Sequence, residues 1–152
     1  MRALLQRVKQ ASVSVKGSLH NNIDSGLLIF LGIKAGDTSK DAVYLAQRCA
    51  NLRIFEDEQG KLNLSVKDIS GSALVISQFT LYADTRKGNR PSFTDAAPPE
   101  IAEKLYNDYV SSLRGELGAS KVVTGLFRAM MDVSLVNDGP VTVMVESKET
   151  SS

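Results

Sequence analysis

Polar and apolar residues alternate with a period of two near the start of the chain, where Val13 and Val15 stand against Ser12, Ser14 and Lys16. Two strands are expected there, over 3–8 and 11–16. The stretch from Gly17 to Gly26 holds His20, Asn21, Asn22 and Asp24 and reads as a turn, with His20 a solvated loop residue. Leu27 to Ile33 is a continuous apolar run of strand length, which suits a strand covered on both faces. Gly36-Asp37-Thr38 then signals a turn and a helix N-cap, and Lys40 to Asn51 places Ala42, Leu45, Ala46 and Cys49 on one side of a helix. Cys49 in that stripe reads as a small buried hydrophobe rather than a nucleophile.

Arg53 to Phe55 and Lys61 to Val66 flank the acidic turn Glu56-Asp57-Glu58-Gln59-Gly60 and read as a hairpin. Ala73 to Leu81 is the next expected strand, yet Ser77 and Gln78 interrupt it after Leu74-Val75-Ile76. Tyr82 to Glu100 has no regular period, and loops of that length in compact domains are usually functional or mobile. Ile101, Leu105, Tyr109 and Leu113 recur at i, i+4 through Ile101 to Leu117, an amphipathic helix entered through Pro98-Pro99. Strands are expected over 121–124, 132–136 and 141–146, the last two joined by Asn137-Asp138-Gly139-Pro140, where Asp-Gly is a hairpin signal. The pattern predicts one mixed α/β domain over 1–146, with two main helices and a large, mainly antiparallel or mixed sheet. Residues 147–152 form a polar, frayed tail.

Composition narrows the chemistry. With 152 residues, 43% hydrophobic, the chain is long enough to bury roughly two thirds of its unfolded surface in one core. One Cys and one His exclude an internal disulfide and a structural zinc cluster, so no metal and no cofactor is expected. Any nucleophile–histidine pair would have to use His20. The formal net charge of +1 argues against a broadly basic nucleic-acid binder, although cations cluster locally at Arg2, Arg7, Lys9 and Lys16 and again at Arg86, Lys87 and Arg90. The longest apolar stretch is far too short to span a bilayer, and the expected location is the cytoplasm.

Three segments could carry chemistry. Ser77-Gln78-Phe79-Thr80 puts hydroxyls and an amide into an apolar strand, where such groups need partners or a pocket; the plainer alternative is hydrogen bonding at a strand end. Lys87 to Phe93 is a basic, glycine-containing loop with one aromatic, suited to a phosphate or a terminal nucleotide, or else an ordinary solvated loop. Asn137 to Thr142 is either a plain hairpin or something less usual, because Pro140 removes a ladder donor and admits a cis bond. No nucleophile elbow, Walker loop or dinucleotide fingerprint is present.

Taken together, Ser77-Gln78-Phe79-Thr80-Leu81 and Asn137-Asp138-Gly139-Pro140-Val141-Thr142 resemble the two signature motifs of the D-aminoacyl-tRNA deacylases, also called D-tyrosyl-tRNA deacylases. Gln6-Arg7-Val8, Leu52 to Asp57, Lys61 to Val66, Tyr82 to Thr85 and Lys87 to Phe93 fall in the same family order, so the resemblance spans residues 1 to about 146. It implies a homodimeric α/β fold with a barrel-like sheet and hydrolysis of the ester joining a D-amino acid to the terminal ribose of tRNA. Glycyl-tRNA is implied as a second substrate.

In that picture Ser77, Gln78, Phe79 and Thr80 are the catalytic pocket, acting largely through main-chain atoms, with the neighbouring ribose hydroxyl supplying the activation that a histidine supplies elsewhere. Gly139 and Pro140 would reach into the partner subunit's pocket as a cis-peptide selector that leaves no room for an L side chain. Lys87, Arg90 and Phe93 would hold the aminoacylated 3′ end of the tRNA. One departure stands out: Arg128 occupies a position where the family usually has glycine. Two other classes stay open, a non-catalytic RNA-end binding module and a general esterase using His20.

Overall fold

Eight strands and two helices follow one another as β1 (Arg2–Val15), β2 (Ser18–Ile23), β3 (Gly26–Gly32), α1 (Ser39–Asn51), β4 (Phe55–Glu56), β5 (Leu62–Leu64), β6 (Ser72–Ser77), α2 (Pro99–Leu117), β7 (Val122–Thr124) and β8 (Asp132–Glu146) in the computed structural model, which describes residues 1–148. Strand β1 organises them. On one edge it pairs antiparallel with β3, from Arg2↔Gly32 to Val8↔Gly26, and then with β2, from Ala11↔Ile23 to Val15↔Ser18. On the other edge it pairs antiparallel with β8, from Arg2↔Glu146 to Ser14↔Asp132. Beyond β3 the sheet continues with parallel β6 and β7. The ring between β7 and β2 is closed by a side chain, since Asn21 Nδ2 donates to the Thr124 carbonyl at 2.7 Å. The result is a nearly closed, barrel-like mixed sheet with two helices, as the sequence implies.

Because β3 and β6 are covered on both faces, successive residues feed two cores. Leu27, Ile29, Leu31, Ala73 and Val75 pack under the helices with Leu45, Ala46, Cys49, Leu105, Tyr109 and Leu113. Leu28, Leu74 and Ile76 turn the other way, into the barrel, to meet Val8, Ala11, Val13 and Ile23. This is what an unbroken apolar run encodes. Helix α1 starts at Thr38, whose amide donates to Asp41 Oδ2 at 2.8 Å, and the Tyr106 hydroxyl of α2 donates to the Val75 carbonyl at 2.7 Å, fixing the helix layer on the sheet. No described helix is long and apolar enough to cross a membrane.

Four expectations are corrected. The strands over 3–8 and 11–16 are one, because β8 pairs with β1 from Arg2 to Ser14 and carries it past the break between its partners β3 and β2. The turn over 17–26 is largely strand β2, whose backbone pairs with β1 while its side chains, Asn21 and Ile23 apart, are exposed; His20 is among the exposed ones. The strand expected to reach Leu81 ends at Ser77 and gives way to a 3-10 turn over Phe79–Tyr82. Most consequentially, Asn137 to Pro140 is no hairpin: both flanking segments belong to β8, and both pair with β1. Of the expected polar tail, the Ser147 amide donates to the Met1 carbonyl and Lys148 Nζ lies 3.4 Å from Asp41 Oδ2, while 149–152 lie outside the described residues.

The start of β1 is pinned by charge. The Met1 α-ammonium, fully buried, sits 2.9 Å from Asp37 Oδ2, which is itself 2% exposed. Removing one member of a buried pair leaves the other uncompensated, so Asp37→Asn is expected to destabilise the fold by about 3–5 kcal/mol in urea unfolding.

Candidate active site

Strands β3, β6 and β7 run in the same direction, and their carboxyl ends, Gly32, Ser77 and Thr124, share one rim of the sheet. At that rim the chain leaves β6 and winds into the 3-10 turn. The Gln78 amide donates to the Leu31 carbonyl at 2.8 Å, the Leu81 amide to the Gln78 carbonyl at 3.3 Å and the Ala83 amide to the Thr80 carbonyl at 3.1 Å. A turn of this kind starts with amides that lack an internal partner, and here those are Phe79 and Thr80. Gln78 Nε2 donates to Thr80 Oγ1, which fixes both side chains against each other. Phe79 and Thr80 are exposed, while Ser77 and Gln78 are half-buried.

Close approach shapes this turn. A Cβ on Gly32 would stand 2.9 Å from Leu81 Cβ and 3.2 Å from the Gln78 carbonyl, so glycine at the end of β3 is what lets the turn fold back onto the strand. Arg2 holds its far end: Nη1 donates to the Leu81 carbonyl at 2.9 Å, the guanidinium lies 4.5 Å from the Tyr82 ring centre, and Nε is 2.6 Å from Glu146 Oε1 on β8.

Beyond the turn an arm projects. Asp84 and Ser92 exchange both backbone hydrogen bonds, 2.7 and 2.9 Å, closing its base, and Phe93 meets Phe79 edge to face with ring centres 5.1 Å apart. Sequence-predicted Phe79 and Phe93 are thereby brought together. Sequence-predicted Lys87 and Arg90 line, with Asp84, Arg86 and Ser92, a concavity of about 550 Å³ on the arm. Arg86 is engaged by Asp84, Nη2 to Oδ2 at 2.7 Å, and its guanidinium holds the Asp84 carboxyl down at about 2. A carboxylate that acidic is a poor general base at neutral pH. Burial pushes the Cys49 thiol up to about 12, which excludes it as a nucleophile, and His20 sits on β2, opposite the other end of β1. Among the described residues no group of three His, Cys, Asp or Glu side chains could hold a metal.

The second motif lies elsewhere. Between the pairs Gln6↔Thr142 and Val8↔Asn137, β8 spends four residues, Asp138 to Val141, opposite the single residue Arg7. They leave the ladder as an exposed excursion containing Gly139 and Pro140, joined by a cis peptide bond. Register places it: Arg7 is level with Leu27 and Ala73, whereas Ser77 is level with Leu31 and Ala3. The motifs therefore sit four residues apart along the sheet, about 13 Å at 3.3 Å per residue, and three strands apart across it. A single chain does not bring Gly139 and Pro140 together with Ser77 to Thr80.

Residues 4–146 match the family model described as D-Tyr-tRNA(Tyr) deacylase. The chain belongs to this deacylase family. It is 59% identical over 148 residues to the D-aminoacyl-tRNA deacylase of Halalkalibacterium halodurans, covering 97% of this chain and all of that one. It is 54% identical over 147 residues to the D-aminoacyl-tRNA deacylase of Chlorobaculum tepidum, with 97% of each covered. Among solved structures, a c-Myc DNA unwinding element binding protein superposes with a TM-score of 0.94 at 42% identity, over 98% of this chain and all of that one. A probable eukaryotic D-amino acid tRNA deacylase shares the fold with a TM-score of 0.85 at 16% identity, over 95% of this chain and 98% of that one.

For this member of the deacylase family, two residues that frame the motifs were hidden in what the sequence presents as a basic N-terminal cluster. Arg2 is committed to the 3-10 turn. Arg7 is 5% exposed and stands opposite the gap in the β1–β8 ladder, with Nε donating to the Asp138 carbonyl at 2.8 Å and Nη1 to the Ile54 carbonyl at 2.9 Å. Asn137 closes the neck of the excursion, its Oδ1 accepting from the Val141 amide at 2.7 Å and its Nδ2 donating to the Val141 carbonyl at 3.0 Å. For Arg2 the signal was the absence of any acid among residues 1–16, which points equally to a surface patch; for Arg7 it was joined by Gln6-Arg7-Val8 falling in the family order. Arg7→Met strands two carbonyls that receive charge-assisted bonds and is expected to destabilise by about 3 kcal/mol or more in denaturant titration, with the excursion's amides exchanging faster.

Proposed function

We propose that this chain hydrolyses the ester between a D-amino acid and the terminal ribose of tRNA, and glycyl-tRNA likewise, as a homodimer acting in the cytoplasm. The observation that carries the reading is the 3-10 turn itself. It presents two unpaired amides, an ordered Gln78–Thr80 pair and an exposed aromatic, in a family defined by deacylases, with no histidine or metal cluster beside it.

The chemistry follows from that inventory. Ester hydrolysis builds negative charge on the carbonyl oxygen, and pre-aimed backbone N–H groups are effective donors for it. The amides of Phe79 and Thr80 take that role, with Ser77 and Gln78 shaping the pocket. Activation of the attacking water falls to the substrate's own ribose hydroxyl beside the ester, since Asp84 is bound to Arg86 and too acidic to serve. Phe79 and Phe93 offer faces for the terminal base, and Lys87 and Arg90 offer charge to the strand behind it.

Chiral selection requires the second motif, and its distance from the turn within one chain supports an arrangement in which Gly139 and Pro140 enter the partner's pocket. A Cβ on Gly139 would stand 2.8 Å from the Val141 amide and 3.4 Å from Arg7 Nη2, so the excursion tolerates no side chain there. Backbone carbonyls at its tip would hold the substrate's amino group and exclude an L side chain, while glycine, lacking one, passes. The outer edge of β8 has no strand partner among the described residues, and Val136 and Met144 on β8 are each 44% exposed. Long exposed edges are usually covered, and a second copy would cover this one.

Purified protein is expected to release D-tyrosine from D-tyrosyl-tRNA while sparing L-tyrosyl-tRNA; equal rates on both, or tight binding without turnover, would refute the reading. Thr80→Val should lower kcat by about tenfold or more while shifting stability by under ~0.5 kcal/mol, as for an exposed side chain. Light scattering should give a dimer, and an active monomer would exclude the cross-subunit selector.

A further inference from the structure

Among the described residues three other than glycine hold a left-handed backbone: Lys16 at φ 51°, Ser70 at φ 53° and Arg128 at φ 67°. The first two have local reasons. Lys16 and Gly17 form the two-residue turn between β1 and β2, which demands positive φ at both positions. Ser70 sits in a turn closed by Ser70 and Gly71 amides on the Lys67 and Val66 carbonyls.

Arg128 lies in the four-residue turn Leu126–Ala129, closed by the Ala129 amide on the Leu126 carbonyl at 3.2 Å. With positive φ only at its third residue, this is a type II turn, whose third position favours glycine. A long side chain there works against the backbone. Arg128 recovers nothing visible inside the chain, because it is exposed and enters no ion pair with another described residue. A strained residue with no internal compensation points to an external role.

Its location says which. The turn springs from Gly125, whose amide donates to the Val75 carbonyl at 3.1 Å, two residues before Ser77, so it stands on the same rim as the 3-10 turn. Phe127 is anchored inward against Tyr106, ring centres 5.8 Å apart, which leaves Leu126, Arg128 and Met130 outward, the last 91% exposed. We propose that Arg128 binds a phosphate of the tRNA 3′ strand at the rim of the active site, a contact maintained at the expense of fold stability. The inference rests on the function proposed above.

The test is Arg128→Gly, with Arg128→Lys as the charge-retaining control. Glycine is expected to raise Tm by about 2–4 °C, because the strain is released. It should also raise KM for D-tyrosyl-tRNA by about fivefold or more with kcat unchanged, and reduce the slope of log(1/KM) against log salt by about 0.7–0.9. Turnover of 3′-O-D-tyrosyl-adenosine, which carries no phosphate, should stay at the wild-type level, and the lysine variant should keep most of the tRNA affinity. An unchanged KM and salt slope, an equal loss on both substrates, or a lowered Tm would each overturn the proposal. Fluorescence anisotropy with an uncharged acceptor-stem minihelix reads the same contact without turnover. A wild type that binds the minihelix through Arg128 but never deacylates would refute the catalytic reading alone.

Discussion

A guanidinium taken out of water must find acceptors in the protein, and Arg7 does so in a way that decides how the sheet is built. Its side chain leaves β1 where the β1–β8 ladder is interrupted, and it bonds the Asp138 and Ile54 carbonyls. Glu56 and the Asp138 carboxylate stand 3.8 and 3.7 Å away at the surface, giving the charge further compensation. A buried cation with these partners can be accommodated, whereas one without them would cost several kcal/mol. The β4 region is thus tied to β1, and the start of the four-residue excursion of β8 is held by the same side chain.

The other end of the sheet is governed by backbone proximity. Three parallel strands finish toward one rim, staggered by a residue or two, and the path the chain takes out of each is set by how closely main chains approach: Gly32 beneath the 3-10 turn, Ser77 entering it, and Gly125 bonded to Val75. Arg2 spans from that turn to Glu146 on β8. Two arginines on one strand therefore serve the two motifs, and their positions five residues apart on β1 put the motifs at different levels of the sheet.

Much of this was legible in the chain. The unbroken apolar run at 27–33 foretold a strand buried on both faces, the i, i+4 stripes foretold both helices, and the two signature segments fall where the sheet is interrupted, at the 3-10 turn and at the β8 excursion. What misled was turn chemistry. Asn-Asp-Gly-Pro reads as a chain reversal, and only the continuous edge of β1, a long-range partner, shows that the strand resumes in the same direction. Likewise, Asn21 looks like a loop residue until the Thr124 carbonyl is seen to need a donor. The N-terminal cations read as a surface patch because burial of an arginine depends on acceptors more than 40 residues away. Local pattern carries element type, whereas the destination of a polar side chain is fixed by tertiary neighbours.

The clamp at the neck of the excursion separates two kinds of evolutionary freedom. Since Asn137 bonds both the amide and the carbonyl of Val141, the strand on either side stays in register whatever the tip between them does. Sequence drift in the core cannot easily disturb the tip, and remodelling of the tip need not propagate into the core. A frame of this sort can be inherited almost unchanged while the residues of the tip are exchanged, so related chains would be expected to differ within that short stretch more than in the strand on either side.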